Sequence, residues 1–168
     1  MRHFALALLL LLPISLCKAQ SADAKPVEPK TIGVVYRLDL TSQELKPLLS
    51  EPWKQGKKGC GGTNFCFTVD LSGDHSAFRL KTGDTFEFVF KAGSPEKVSL
   101  YLFKVKKNNR WFDFEKWGQG RNEPIKGLPV EITQYGTSSY KLVPTSPLTP
   151  GEYAITIAGE VYTFGIDQ

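Results

Sequence analysis

The sequence predicts an all-β protein, an antiparallel sandwich of about nine short strands. Three observations carry that expectation. Apolar residues recur at every second position in several short segments, the period of a half-buried strand. Fifteen Gly and 11 Pro punctuate the 168 residues, as a chain of many turns requires. No segment holds a convincing helical period, and no internal repeat is visible.

The elements follow in order. Ile32 to Leu38 is β-branched and aromatic, and Leu45 to Leu49 is a second apolar run. Asp39 to Gln43 turns between them as a hairpin. The stretch from Ser42 to Trp53 admits a helix instead, with Ser42 as cap and Glu44 in support, but Pro47 opposes it. Gln55 to Thr63 reads as a Gly/Lys loop. Phe65, Phe67, Val69 and Leu71 alternate with Cys66, Thr68 and Asp70, a register that points Cys66 away from the aromatic face. After the turn Ser72-Gly73-Asp74 come a short strand at Phe78 and Leu80 and a turn at Thr82-Gly83-Asp84.

Phe86, Phe88 and Phe90 alternate with Glu87, Val89 and Lys91, the clearest strand in the chain. Val98 to Val105 is apolar on both faces, as suits a strand covered on each side. Lys106 to Gly127 reads as long and irregular. Four short strands close the chain: Val130 to Tyr135, Ser139 to Val143, Tyr153 to Ile157 and Val161 to Ile166, with tight connections at Gly136-Thr137-Ser138 and Ala158-Gly159-Glu160.

The domain is preceded by two other segments. Residues 1–19 have the make-up of an export signal: Arg2 and His3, the apolar run Phe4 to Leu12, the breaker Pro13, and small residues at Cys17 and Ala19. The run falls short of the roughly 20 residues that cross a bilayer, so no transmembrane span is expected. Residues 20–30 are Pro, Ala and charge without a period and read as a flexible linker, leaving 31–168 as one β-sandwich domain. A lipid anchor at Cys17 is the alternative, although Leu16 stands where lipoprotein leaders resembling the usual bacterial pattern carry a small residue.

With the leader removed, 19 Lys and Arg (21 less Arg2 and Lys18) face 17 Asp and Glu, a formal charge of +2. That balance does not call for a nucleic-acid partner. Cys60 and Cys66 remain; in an oxidising compartment they are expected to pair, held over the outer surface or a sheet edge. Gly59, Gly61 and Gly62 let so short a loop close. A zinc site would need further ligands, and after the leader His75 is the one histidine, so no metal and no other cofactor is expected.

The segment LVPTSPLTPGEYAITIAGEVYTFGID supplies a resemblance. Pro144, Leu148, Pro150, Gly151, Glu152, Tyr153 and Ala154, followed by Phe164, Gly165, Ile166 and Asp167, resemble the closing pattern of small exported bacterial proteins of uncharacterised function. VYRLDLTSQELKPL resembles the opening hairpin of the same group. The resemblance implies an Ig-like β-sandwich and export, and transfers no catalytic residue. Physically, Pro150-Gly151 turns the chain into a late strand, where a Tyr hydroxyl commonly bonds nearby backbone.

Candidate chemistry is sparse. His75 sits in Gly73-Asp74-His75-Ser76, too local for a triad, and no G-x-S-x-G elbow occurs. The Gly-rich stretch at 55–62 lacks the phosphate-loop pattern. Asp113, Glu115 and Glu123 offer carboxylates for glycoside hydrolysis if a cleft holds two of them about 5 to 9.5 Å apart. The most suggestive surface, Lys104 to Arg121, interleaves cations with aromatics: Lys104, Lys106, Lys107, Arg110, Lys116 and Arg121 among Trp111, Phe112, Phe114 and Trp117. Aromatic faces stack on sugar rings and cations meet acidic groups. The competing reading continues the preceding strand through Trp111 and Phe112, with the charges as its solvated face. The expectation is a non-catalytic binding or structural module, secreted or periplasmic, whose partner is an envelope polysaccharide or another envelope protein. A small secreted glycan hydrolase and a subunit of a larger envelope assembly are the alternatives.

Overall fold

A computed structural model describes residues 26–84 and 87–168. The leader, Cys17, most of the linker and Phe86 lie outside the described residues. Among these residues the chain forms fourteen strands, with a single 3-10 turn at Pro95–Lys97. The strands are β1 (Val35–Leu38), β2 (Leu45–Pro47), β3 (Lys54–Gly59), β4 (Phe65–Ser72), β5 (Arg79–Lys81), β6 (Glu87–Phe90), β7 (Ser99–Leu102), β8 (Lys104–Lys106), β9 (Asn109–Gly118), β10 (Arg121–Pro124), β11 (Val130–Tyr135), β12 (Ser139–Pro144), β13 (Gly151–Ile157) and β14 (Glu160–Asp167). The protein is an all-β sandwich.

Three sheets make its layers. One outer sheet runs β11-β12-β6-β1-β2, the middle sheet β5-β14-β13-β7, and the other outer sheet β10-β9-β4-β3, with β8 also on β9. All pairings are antiparallel except β5 with β14, which is parallel. The strand period of two explains how one sheet serves two cores. Tyr153, Ile155, Ile157, Tyr162, Phe164 and Ile166 turn toward the first outer sheet and pack with Val35, Phe88, Phe90 and Leu142. Ala154, Val161 and Tyr101 turn the other way and pack with Val69, Leu71, Phe103, Phe112 and Phe114. A sandwich commonly has two layers; here there are three, with the middle sheet clad on both faces.

The β1–β2 hairpin settles the alternative around Ser42 in favour of strands. Leu38 pairs with Leu45, and Asp39 accepts hydrogen bonds from the backbone N–H of Thr41 (2.9 Å) and Ser42 (3.0 Å). The tyrosine expectation also holds: the Tyr153 hydroxyl donates to the Thr149 carbonyl at 2.7 Å. The described end of the linker is fastened rather than loose. Glu28 accepts hydrogen bonds from Ser138 N (2.9 Å) and the hydroxyls of Ser138 (3.0 Å) and Ser139 (2.9 Å) at the β11–β12 turn.

Two further expectations are corrected. Gln55 to Gly59 is not a loop but most of edge strand β3, paired with β4 from Lys54↔Asp70 to Gly59↔Phe65. Gly56 is needed there, since a Cβ would fall 2.3 Å from Thr68 Oγ1. Lys106 to Gly127 is not irregular: it contains β9, ten residues long, flanked by β8 at one end and β10 at the other. Val98 to Val105 is likewise two strands. The chain leaves the middle sheet at Leu102 and enters the outer sheet at Lys104, which explains its apolar residues on both faces.

Candidate binding groove

The aromatic and cationic residues of 104–121 all lie on β8, β9, β10 or their turns, but a bulge divides them. Phe67 opposes Glu115 while the next residue, Thr68, opposes Asp113, leaving Phe114 as the extra residue on β9. Trp111 and Asp113 therefore share the outer face with Lys58, whereas Trp117 faces the inner side with Phe65 and Lys57. The contacts agree: Lys58 Nζ is 5.6 Å from the Trp111 ring, and the Phe65 and Trp117 rings are 6.3 Å apart. Trp111 and Trp117 do not form one platform.

The remaining predicted residues separate further. Phe112 is buried in the second core and Phe114 packs against it. Arg121 pairs with Glu123 at 2.7 Å on the outer strand β10. Arg110, 1% exposed, is held inside: it donates to Glu51 at 2.6 Å, to the Ser76 hydroxyl at 2.7 Å and to the Gly73 carbonyl at 3.2 Å. Ser76 donates in turn to Glu152 (2.7 Å), Glu152 binds Arg79, and Arg79 binds Asp167. Glu51 also accepts from Thr163. This chain of charges is buried at Arg110 and Glu152 and reaches solvent at Asp167; it joins the middle sheet to the outer one, with each ion hydrogen-bonded, the condition under which buried charge is tolerated.

Trp111 and Lys107 instead line a groove of about 680 Å³ at the proximal end of the outer face. Its other walls include Trp53, Lys54, Asp70, Lys106 and Asn109, with Arg110 beneath. The β-pleat explains the gathering. Lys54 opposes Asp70, Asp70 opposes Trp111, and Lys106 opposes Asn109, so these side chains point to one side of the sheet. Trp53, just before β3, is 37% exposed and anchored by its indole N–H to the Gly159 carbonyl at 3.1 Å. Lys107 adopts a left-handed backbone (φ 58°) in the tight β8–β9 turn. Trp53, Lys54, Asp70 and Asn109 are the groove residues that sequence reasoning missed. Trp53 was hidden between a Pro and a Lys-rich stretch with no period, and only its being a Trp marked it.

Charge at the groove is unevenly satisfied. Asp113, on the same face, is gripped by Lys58 and Lys104, each at 2.7 Å. Burial alone would raise its carboxyl, but the hydrogen bonds from Lys104 and Lys58 prevail and hold it below the ordinary carboxylate value. Lys54, Lys106 and Lys107 have no ion-pair partner among the described residues.

Of the carboxylates considered for hydrolysis, Asp113 is on the outer face, tied to two lysines, Glu115 is on the inner one, and Glu123 is paired with Arg121 on β10. His75 is 74% exposed and bonded to Asp74 at 2.6 Å. Among the described residues no group of His, Cys, Asp or Glu is arranged to hold a metal ion. No helix there is long and apolar enough to cross a membrane.

A disulfide joins Cys60 and Cys66, with Cα atoms 5.7 Å apart, at the far end of the β3–β4 hairpin. The chain matches no protein-family model, no curated protein and no solved structure.

Proposed function

We propose that this protein is exported and serves, without catalysis, as a binding module of the cell envelope or extracellular space, holding an envelope polysaccharide in the Trp53–Trp111 groove. One observation carries the reading: an open groove gathers two Trp side chains with three Lys that have no ion-pair partner among the described residues, an acid and an amide. Aromatic faces of this kind stack against the C–H faces of sugar rings, while Asp70 and Asn109 supply acceptors and donors for hydroxyls. The export signal of residues 1–19 and the resemblance to small exported proteins support the compartment. Edge strand β3 carries Lys54, Lys57 and Lys58, charges that discourage strand addition and favour this reading over an assembly subunit.

Retention on insoluble envelope polysaccharide tests the proposal. The wild-type protein should be retained, and Trp111→Ala should reduce retention while thermal unfolding remains cooperative. Absence of retention, or equal retention of the variant, rejects the groove as a glycan site.

A further inference from the structure

The groove's charge points to the class of sugar. We infer that its ligand is an acidic oligosaccharide, one bearing uronic-acid carboxylates, with Trp53 and Trp111 against its rings and Lys54, Lys106 and Lys107 meeting its carboxylates; this rests on the glycan reading above.

Some cations on this side of the protein are already paired, and others are not. On the outer face Lys58 and Lys104 share the one carboxylate of Asp113, and within the protein Arg110 is paired with Glu51. Each of those cations already has an anion of the protein beside it. Lys54, Lys106 and Lys107 differ, for among the described residues Asp70 is the one acid lining the groove with them, and it lies within ion-pair distance of none of them. Asp70 instead leans over Gly56, where a Cβ would fall on its Oδ2. Three cations against one acid leave the groove net positive beside its two indoles.

A neutral glycan would use the indoles and leave these ammonium groups to water. An acidic one uses both sets. The lysines also stand on separate segments: Lys54 on β3, Lys106 at the end of β8 and Lys107 in the turn beyond it. Charge spread along a groove suits carboxylates repeated along a chain better than a single small anion. A nucleic acid would need more than this short site, since its affinity rests on many phosphate contacts.

The other surfaces carry less. The second cavity, about 480 Å³ beside Leu49, His75 and Phe78, has at its base Arg110 and Glu51, which already satisfy one another. The exposed pair Phe65 and Trp117 has nothing beside it that defines an occupant.

The test is a titration of the mature protein, followed by tryptophan fluorescence and calorimetry. The probes are an oligogalacturonate, a neutral cello-oligosaccharide of equal length and an oligothymidylate. The oligogalacturonate should bind about tenfold or more tighter than the neutral probe at low salt, and the preference should shrink as salt rises. Trp53→Ala and Trp111→Ala should each weaken it by about tenfold. Lys106→Gln, at an exposed site that leaves the fold intact, should weaken the acidic probe by about two- to fivefold and leave the neutral one unchanged. Trp117→Ala, on the opposite face, should change nothing.

Equal affinity for acidic and neutral sugars overturns the acidic assignment and leaves the glycan reading standing. Binding of neither sugar overturns both. Tighter binding of the oligothymidylate overturns the saccharide in favour of a general polyanion surface. An equal loss in Trp117→Ala and Trp111→Ala removes the site from the groove.

Discussion

Trp111 and Trp117 stand on one strand and face opposite sides of its sheet, because Phe114 is an extra residue between them. A regular strand would have placed both indoles on one face. The bulge gives Trp111 to the lysine-rich outer face and its groove, and leaves Trp117 beside Phe65 on the other.

Arg110 is the residue whose loss should cost the most. Its guanidinium is buried and bonded to Glu51 and Ser76, and it lies 3.7 Å from Glu152. Arg110→Met removes the cation that Glu51 and the buried Glu152 share and leaves a long apolar side chain among their polar groups. We expect a loss of about 3–5 kcal/mol in urea unfolding. A loss below about 1 kcal/mol would show that water reaches those carboxylates freely.

Glu28 makes stability depend on acidity. Hydrogen bonds from Thr137 N–H, then from Ser138 and Ser139, pull its carboxyl down from 4.5 to about 2. A depressed folded-state value means that the stabilisation is present in full above pH 4.5 and fades as pH falls toward 2. Glu28→Gln should therefore unfold at a lower temperature than wild type at pH 7, and the gap should close near pH 2. A gap that persists there would mean that the charge is not what fastens the segment.

Phe164 tests the first core. It is fully buried, with its ring 5.3 Å from Tyr153 and 4.8 Å from Phe88. Phe164→Ala should cost about 3–5 kcal/mol, from lost burial and the cavity left behind. Chemical denaturation measures it, and a cost under about 1 kcal/mol would mean that the site collapses around the smaller residue.

The disulfide should matter less. On the chain-entropy estimate, closing so short a loop contributes roughly 2 to 2.5 kcal/mol. Cys60→Ser/Cys66→Ser should lower the melting temperature and leave oligosaccharide binding intact, because the bridge sits at the hairpin end remote from the groove. Loss of binding in the folded double variant would show that hairpin and groove are coupled.

Export is checked on the protein itself. Expressed with its leader and recovered outside the cytoplasm, the chain should begin at Gln20 and weigh about two mass units less than its reduced form. A lipid on Cys17 would contradict cleavage after Ala19.

Much of the fold was readable and less of the site. β13 and β14 announced themselves through alternation of Tyr153, Ile155 and Ile157 and of Tyr162, Phe164 and Ile166. Their second buried face did not, because Glu152 and Thr163 look like solvent positions in a sequence. They are 6% and 3% exposed, turned into the ion network rather than into water. That disguise hid the third layer. β3 was missed because Lys and Gly are poor strand formers, and an edge strand needs little more than a partner's backbone. β9 was missed because its bulge breaks the period by which strands are recognised. The groove joins residues from either side of that hidden pairing, so Trp111, Lys106, Lys107 and Arg110 among its walls were anticipated and Trp53, Lys54, Asp70 and Asn109 were not.

The central sheet brings together β5, β7, β13 and β14, segments drawn from distant parts of the chain. Neither flanking layer has a surface to close upon until those segments have met, so assembly should be slow for a chain of this size and sensitive to the order in which they arrive. Once formed, the same arrangement lets either flank peel away while the other keeps half of the centre dry. Partial opening should then begin at the outer layers, and the last amide protons to exchange should be those of β13 and β14.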